Sequence, residues 1–170
     1  MDRTVVYIGI GSNLGDRREH IAAAVRGLRE MPETLLGRVA TTIETEPVGP
    51  IEQGAFLNTA ASITTGLTPL EVLECLQAIE RERGRDRGSE TRWGPRTLDL
   101  DILVFGDRVV QEPGLIIPHK RLQERGFVLI PLAEIGPELK VPGTGRTVRE
   151  LLDELLGADA GPGADLRGPA

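Results

Sequence analysis

The sequence predicts an α+β fold: a mainly antiparallel sheet, built from a split β–α–β arrangement, with helices packed on it. Three observations lead there. Apolar runs of strand length recur at residues 5–10, 55–65 and 98–105. Between them, Ile21, Ala24, Val25 and Leu28, and then Val72, Leu73, Leu76 and Ile79, follow the spacing of amphipathic helices. The order strand, helix, strand, strand, helix, strand is that of a ferredoxin-like sandwich, here with extra carboxyl-terminal elements.

A chain of 170 residues suits a single domain. We expect it over residues 1–156, with 157–170, rich in Gly, Ala, Pro and Asp, as a disordered tail. A net charge of -6 disfavours a general nucleic-acid or membrane-surface binder. Yet Arg81, Arg83, Arg85, Arg87, Arg92 and Arg96 crowd one short segment, which suggests an anionic ligand of limited size. Cys75 is the only cysteine, so no intramolecular disulfide is possible. With no signal-peptide layout and no run long enough to span a membrane, a cytoplasmic protein is expected.

In order along the chain, residues 5–10 read as a buried strand. Gly11, Ser12, Asn13, Leu14, Gly15 and Asp16 read as a tight turn, with Asn13 or Asp16 near the cap of the first helix. Gly9, Gly11 and Gly15 miss the dinucleotide fingerprint, and no Gly-Lys-Ser/Thr follows, so phosphate binding by this turn alone is disfavoured. Pro32 ends the helix. Residues 37–44 are β-rich, and 45–54, with Pro47, Gly49, Pro50 and Gly54, form a loop too long for a hairpin turn. Residues 55–65 return as a strand with Asn58 early in it, a carboxamide able to donate and accept at once. Thr68, Pro69 and Glu71 make a complete helix start and Gly84 a stop. Gln77 and Glu80 share a face near the end of that helix and read, taken alone, as solvated surface residues. The arginine-rich segment 85–92 has no apolar stripe and reads as a mobile loop.

The chemistry concentrates at residues 92–105. Leu98, Leu100, Ile102 and Val104 alternate with Asp99 and Asp101, so a strand puts the aliphatic set on one face and both carboxylates on the other. The two Asp side chains are then roughly 6.5 to 7 Å apart, suited to converging on a pair of hard cations. Arg92, Arg96 and Trp93 stand immediately upstream. Beyond the strand, residues 106–108 read as a turn, 109–110 as the start of a short return strand and 118–122 as a short helix. Arg125 and Phe127 fall two apart on a run read as extended, and Thr147 with Glu150 opens a last helix. His119, beside Lys120 and Arg121, fits a structural role or a phosphate contact equally.

The stretch from Arg92 to Ile102, with Trp93, Gly94, Pro95 and Arg96 before Asp99 and Asp101, resembles the signature of the 6-hydroxymethyl-7,8-dihydropterin pyrophosphokinase family. Supporting matches are Thr45 to Gly49, Phe56 to Asn58, Gln77 with Glu80, Pro118 with His119, and Arg125 to Phe127. The resemblance implies a ferredoxin-like folate-pathway enzyme, usually a monomer, that moves the terminal pyrophosphate of ATP onto a pterin alcohol. It implies that Asp99 and Asp101 hold two magnesium ions and that Arg85 and Arg96 act with them on the transferred group. Gln77, Glu80, Arg87, Arg92, Trp93, Arg96, Ile102, His119, Lys120 and Arg125 are implied at the ATP side. Thr45, Glu46, Val48, Phe56, Asn58, Trp93 and Phe127 are implied at the pterin side. Phe56 stands where relatives often carry Tyr, Glu46 where some carry Pro, and Lys120 where some carry an aromatic.

For this chemistry no Ser, Cys or His nucleophile is needed, because positioning and electrostatics carry phosphoryl-type transfer. The alternative from another class is a non-catalytic ferredoxin-like RNA-binding module. An acidic chain with few aromatics disfavours it.

Overall fold

The computed structural model describes residues 2–47, 49–85, 88 and 97–158. Strand β1 (Thr4–Ser12) leads into helix α1 (Arg17–Glu30), and strands β2 (Thr34–Val39), β3 (Ile43–Thr45) and β4 (Phe56–Thr65) follow. Helix α2 (Pro69–Glu82) and strand β5 (Asp99–Phe105) complete the main sheet. Its order is β2-β4-β1-β5, every pairing is antiparallel, and β3 continues the β2 edge by pairing with the start of β4. This is the ferredoxin-like arrangement, in which the first strand of each half lies inside the sheet.

Helices α1 and α2 begin where the sequence directs. Asp16 caps α1, its carboxylate accepting from Glu19 N at 3.1 Å. At α2, Thr68 Oγ1 accepts from Glu71 N at 3.2 Å while Thr68 N donates to the Glu71 carboxylate at 2.7 Å, with Pro69 in the first turn. Gly84 takes φ +84 just past the helix, a conformation that disfavours side chains. The apolar stripes of α1 and α2 pack with Val6, Ile8, Ile10, Leu57, Ile63, Leu100 and Ile102 on one face of the sheet.

The other face is covered too. The hairpin of β6 (Val110–Glu112) and β7 (Leu115–Ile117) leads to a 3-10 turn, Leu122–Glu124. Helix α3 (Gly126–Ile135), the small pair β8 (Lys140–Val141) and β9 (Arg146–Thr147), and helix α4 (Val148–Ala158) follow. Leu122, Leu129, Leu132, Val148 and Leu151 pack on Leu103 and Val104.

Several expectations are corrected. The run from Arg125 is helical: a short, almost wholly apolar segment has no periodicity to separate a buried helix from a buried strand, and here α3 is buried between sheet and α4. Val104 does not share a face with Leu98, Leu100 and Ile102. The register against β1 slips between Tyr7 and Ile8, leaving Leu103 as the extra residue of a bulge, so Val104 joins the α3 side and Phe105 the α1/α2 side. Gly11 and Ser12 belong to β1, and the turn is confined to residues 13–16. The return strand at Val110 pairs with β7 and makes no ladder with β5. Residues 37–44 divide between the end of β2 and the start of β3. The short helix expected to open at residues 118–122 is a single 3-10 turn, Leu122–Glu124, that begins at the last of them.

Candidate active site

Asp99 and Asp101 start β5 and pair with Gly11 and Gly9 of β1, which in turn pair with Asn58 and Ala60 of β4. Two parallel rows result, Asn58–Gly11–Asp99 and Ala60–Gly9–Asp101, on the face toward α3. Because both middle positions are glycine, no side chain stands between Asn58 and the carboxylates, whose strands lie about 9.5 Å apart. The glycine spacing, two apart in a strand, is the signal for this floor, and reading Gly11 as turn obscures it.

One cavity opens on this face, and a second lies along the β5 edge of the sheet. The first is pinched, with about 20 Å³ of room, and is lined by Gly9, Gly11, Asn58, Asp99, Asp101, His119, Arg125 and Phe127 among others. The second, a cleft of about 350 Å³, is lined by Leu73, Gln77, Leu100, Asp101, Ile102, Leu115, Ile116, His119 and Lys120 with Gly114. Asp101 and His119 line both, so the cavities meet at those two residues.

Beneath Asp99 lies a buried charge network. Glu80 is 1% exposed, not solvated as its helix position suggests; its carboxylate pairs with Arg85 and accepts from Leu100 N at 2.9 Å. Arg85, expected in the mobile segment 85–92, is buried as well; of the rest of that segment only Gly88 lies within the described residues. Arg85 Nη1 donates to Asp99 Oδ1 at 2.7 Å and to Leu98 O at 3.1 Å. A buried guanidinium between two carboxylates satisfies each by hydrogen bonding and fixes the start of β5 against the end of α2. From the β1 side, Ser12 Oγ donates to Thr97 O at 2.5 Å, a contact the sequence does not signal.

Burial, with the charges of Asp99 and Glu80, raises the Asp101 carboxyl to about 7, and Arg125 and Arg85 offset only part of this. Burial and then the Arg125 charge push His119 down to about 4. Its Nδ1 accepts from Arg121 N at 3.2 Å, so the neutral ring keeps Nε2 as a donor. Burial followed by the Arg121 charge lowers the Arg125 guanidinium too. Arg125 stands 5.4 Å from the centroid of the Phe127 ring, a cation against the wall of the pinched cavity.

On the β3–β4 side, Asn58 Nδ2 donates to Thr45 Oγ1 at 2.6 Å, both residues being buried. That leaves the Asn58 carbonyl and the Thr45 hydroxyl proton for a ligand edge. Phe56 pairs with Thr45 across the ladder and is fully buried, without lining either cavity as they stand. Glu46 is exposed beyond the end of β3. Val48, Arg87, Arg92, Trp93 and Arg96 lie outside the described residues, as does the tail from 159.

The model of the 7,8-dihydro-6-hydroxymethylpterin-pyrophosphokinase family matches residues 7–137. The chain belongs to this family. A 2-amino-4-hydroxy-6-hydroxymethyldihydropteridine pyrophosphokinase of Pseudomonas aeruginosa is 48% identical over 147 residues, covering 86% of this chain and 89% of that protein. One of Bacillus subtilis is 46% identical over 140 residues, with coverages of 82% and 83%. Among solved structures, the HPPK-DHPS of Plasmodium falciparum superposes with a TM-score of 0.72 at 14% identity. The match covers 92% of this chain and 44% of that longer one, and at such identity it speaks for the fold. Membership sets aside the RNA-binding alternative. No helix among the described residues is long and apolar enough to cross a membrane.

Proposed function

We propose that this chain carries out its family's reaction, transferring the terminal pyrophosphate of ATP to 6-hydroxymethyl-7,8-dihydropterin, with AMP as the other product, in folate biosynthesis. The observation that carries the residue assignment is the meeting of the two cavities at Asp101 and His119. A nucleotide in the larger cleft extends its phosphates toward Asp99 and Asp101, and an acceptor ring in the pinched cavity reaches them across Gly9 and Gly11.

In this reading Gln77, Ile102, His119 and Lys120 hold the nucleotide, and Arg125 contacts its phosphates. Glu80 acts from below, orienting Arg85 and Asp99 together. Arg85 sets Asp99 from beneath, Arg87 and Arg96 neutralise charge on the transferred group, Arg92 contacts the nucleotide, and Trp93 covers the site. Thr45 and Asn58 read the polar edge of the pterin, Phe56 and Phe127 flank its ring, and Glu46 and Val48 border the pocket. The pinched cavity widens to admit a ring, so acceptor binding requires local rearrangement around Phe127.

Asp99 and Asp101 fit two magnesium ions. They supply hard oxygen donors on one face of one strand, and the raised Asp101 carboxyl marks a place where negative charge accumulates. Among the described residues no set of three or more metal-type ligands gathers, and substrate phosphates and water complete a magnesium shell where protein ligands are few. When bound, the ions reduce the charge of the triphosphate and favour attack at its β-phosphorus. The protein holds the acceptor hydroxymethyl oxygen in line and keeps water out.

We further propose one domain over residues 1–156, a monomer working in the cytoplasm without nucleic acid or membrane. The acidic net charge and the lone Cys75 support this. The deciding experiment mixes ATP, magnesium and 6-hydroxymethyl-7,8-dihydropterin. AMP and the pterin diphosphate form if the reading is right; ADP alone, or ATP turnover indifferent to pterin, overturns it.

A further inference from the structure

The acceptor side of the site hangs on a short piece of sheet. Strand β3 has only three ladder positions, Ile43↔Asn58, Glu44↔Leu57 and Thr45↔Phe56, and it lies at the sheet edge. Immediately past the last pair the chain leaves for the loop of residues 46–55. A three-residue edge strand closed by a ten-residue loop frays at its open end unless something outside the ladder holds it. The residues at that open end are Thr45 and Phe56, and Thr45 is the hydrogen-bond partner of Asn58.

Arg17 supplies the outside hold. From the first turn of α1 its Nη1 donates to Ala55 O at 2.7 Å, and its Nη2 stands 3.2 Å from the Glu44 carboxylate. Glu44 precedes Thr45 and Ala55 precedes Phe56, so one planar guanidinium spans the two chain segments that frame the pocket pair. The base of the bridge is fixed because Asp16, the preceding residue, caps α1. Asn13 of the same turn adds a neighbouring anchor, its Nδ2 donating to Gln53 Oε1 at 2.7 Å and to Gly54 O at 3.2 Å.

We propose that Arg17 is a positioning residue for the acceptor pocket, setting the separation of Thr45 and Phe56 by bridging both ends of the β3–β4 loop. It touches neither cavity and acts through Ala55 and Glu44. The proposal rests on the assignment of Thr45, Phe56 and Asn58 to the pterin. The two links are unequal. The Glu44 side chain is 59% exposed, so its ion pair is screened and weak, whereas the charged donor to Ala55 O is the stronger hold. Lysine brings a single point of charge and cannot hold both partners in the fixed fork of arginine.

The test is steady-state kinetics of AMP formation, with both substrates varied, for wild type, Arg17→Met, Arg17→Lys and Glu44→Gln, beside thermal unfolding of each. Arg17→Met should raise KM for the pterin about five- to tenfold, the worth of one charge-assisted hydrogen bond at a half-exposed site, and leave kcat and KM for ATP within about twofold. Arg17→Lys should recover part of the loss, and Glu44→Gln should change pterin KM by less than about twofold. An unchanged pterin KM in Arg17→Met, or equal rises in both KM values, overturns the proposal, and a lowered melting temperature without a KM split assigns Arg17 to stability alone. Wild-type protein that forms no AMP from pterin overturns the acceptor-pocket reading itself, a failure distinct from that of the bridge.

Discussion

Replacing Arg85 by Met removes the one cation that the described structure places between Glu80 and Asp99. The side chains of Arg85, Glu80 and Asp99 are 4%, 1% and 11% exposed, so water screens the two remaining carboxylates poorly. Removing one partner of a buried ion pair costs about 3 to 5 kcal/mol, because a buried charge loses its counter-charge. Against a total stability of about 5 to 15 kcal/mol for a domain, that is a severe loss. It also acquires a pH dependence. Arg85 is one of the charges that hold Asp101 down, so the variant lifts that carboxyl above its wild-type value of about 7. A group whose folded pKa is raised favours the folded state below its unfolded pKa, and this contribution is lost as pH rises through the folded value. At pH 6 Asp101 is largely protonated in both proteins and adds little to the difference. By pH 9 each further tenfold gain in the proton affinity of Asp101 adds about 1.4 kcal/mol to the deficit. Urea unfolding followed by far-UV circular dichroism at the two pH values measures both parts. A deficit under about 1 kcal/mol, or one that shrinks between pH 6 and pH 9, would refute the account of Arg85 as the counter-ion of this network.

Asp101→Asn should lower turnover on the order of 100-fold or more while raising stability, by more at pH 8.5 than at pH 6, because it deletes a carboxylate that folding makes harder to ionise. Kinetics and denaturation of the same preparation check both halves, and near-normal magnesium-dependent turnover would remove Asp101 from the site. His119, at about 4 in the folded protein against about 6.5 unfolded, contributes stability that is fully present above about pH 6.5 and is lost as pH falls through 4. Its ring resonances should stay those of neutral imidazole at pH 6, and His119→Asn should flatten the acid limb of the stability curve. Thr68→Ala breaks the capping box at α2 and should cost about 1 kcal/mol in unfolding experiments, with both KM values unchanged because the cap lies at the opposite end of the helix from Glu80.

Features set by near neighbours in sequence were legible before folding. The caps at Asp16 and Thr68 are contacts across three residues, and the strand at 99–105 declares its alternation until the bulge. The carboxylates Asp99 and Asp101 could be placed on one face because a strand has a period of two. By the same local rule Glu80 reads as surface, since nothing within its own helix reveals that β5 will cover it.

The sequence by itself determined the helix starts at Asp16, Thr68 and Thr147, the central strand with its paired carboxylates and, through the stretch from Arg92 to Ile102, the family. Tertiary structure alone decided the rest of the site. It buried Glu80 and Arg85 as a counter-charge beneath Asp99 and made the run after Arg125 a helix, because the open sheet face needed an apolar cover. It set Gly9 and Gly11 as a bare floor between Asn58 and the carboxylates, and tied the ends of the β3–β4 loop to Arg17. These are contacts between residues far apart along the chain, and their energies depend on burial and on which strands become neighbours, quantities that no local pattern encodes.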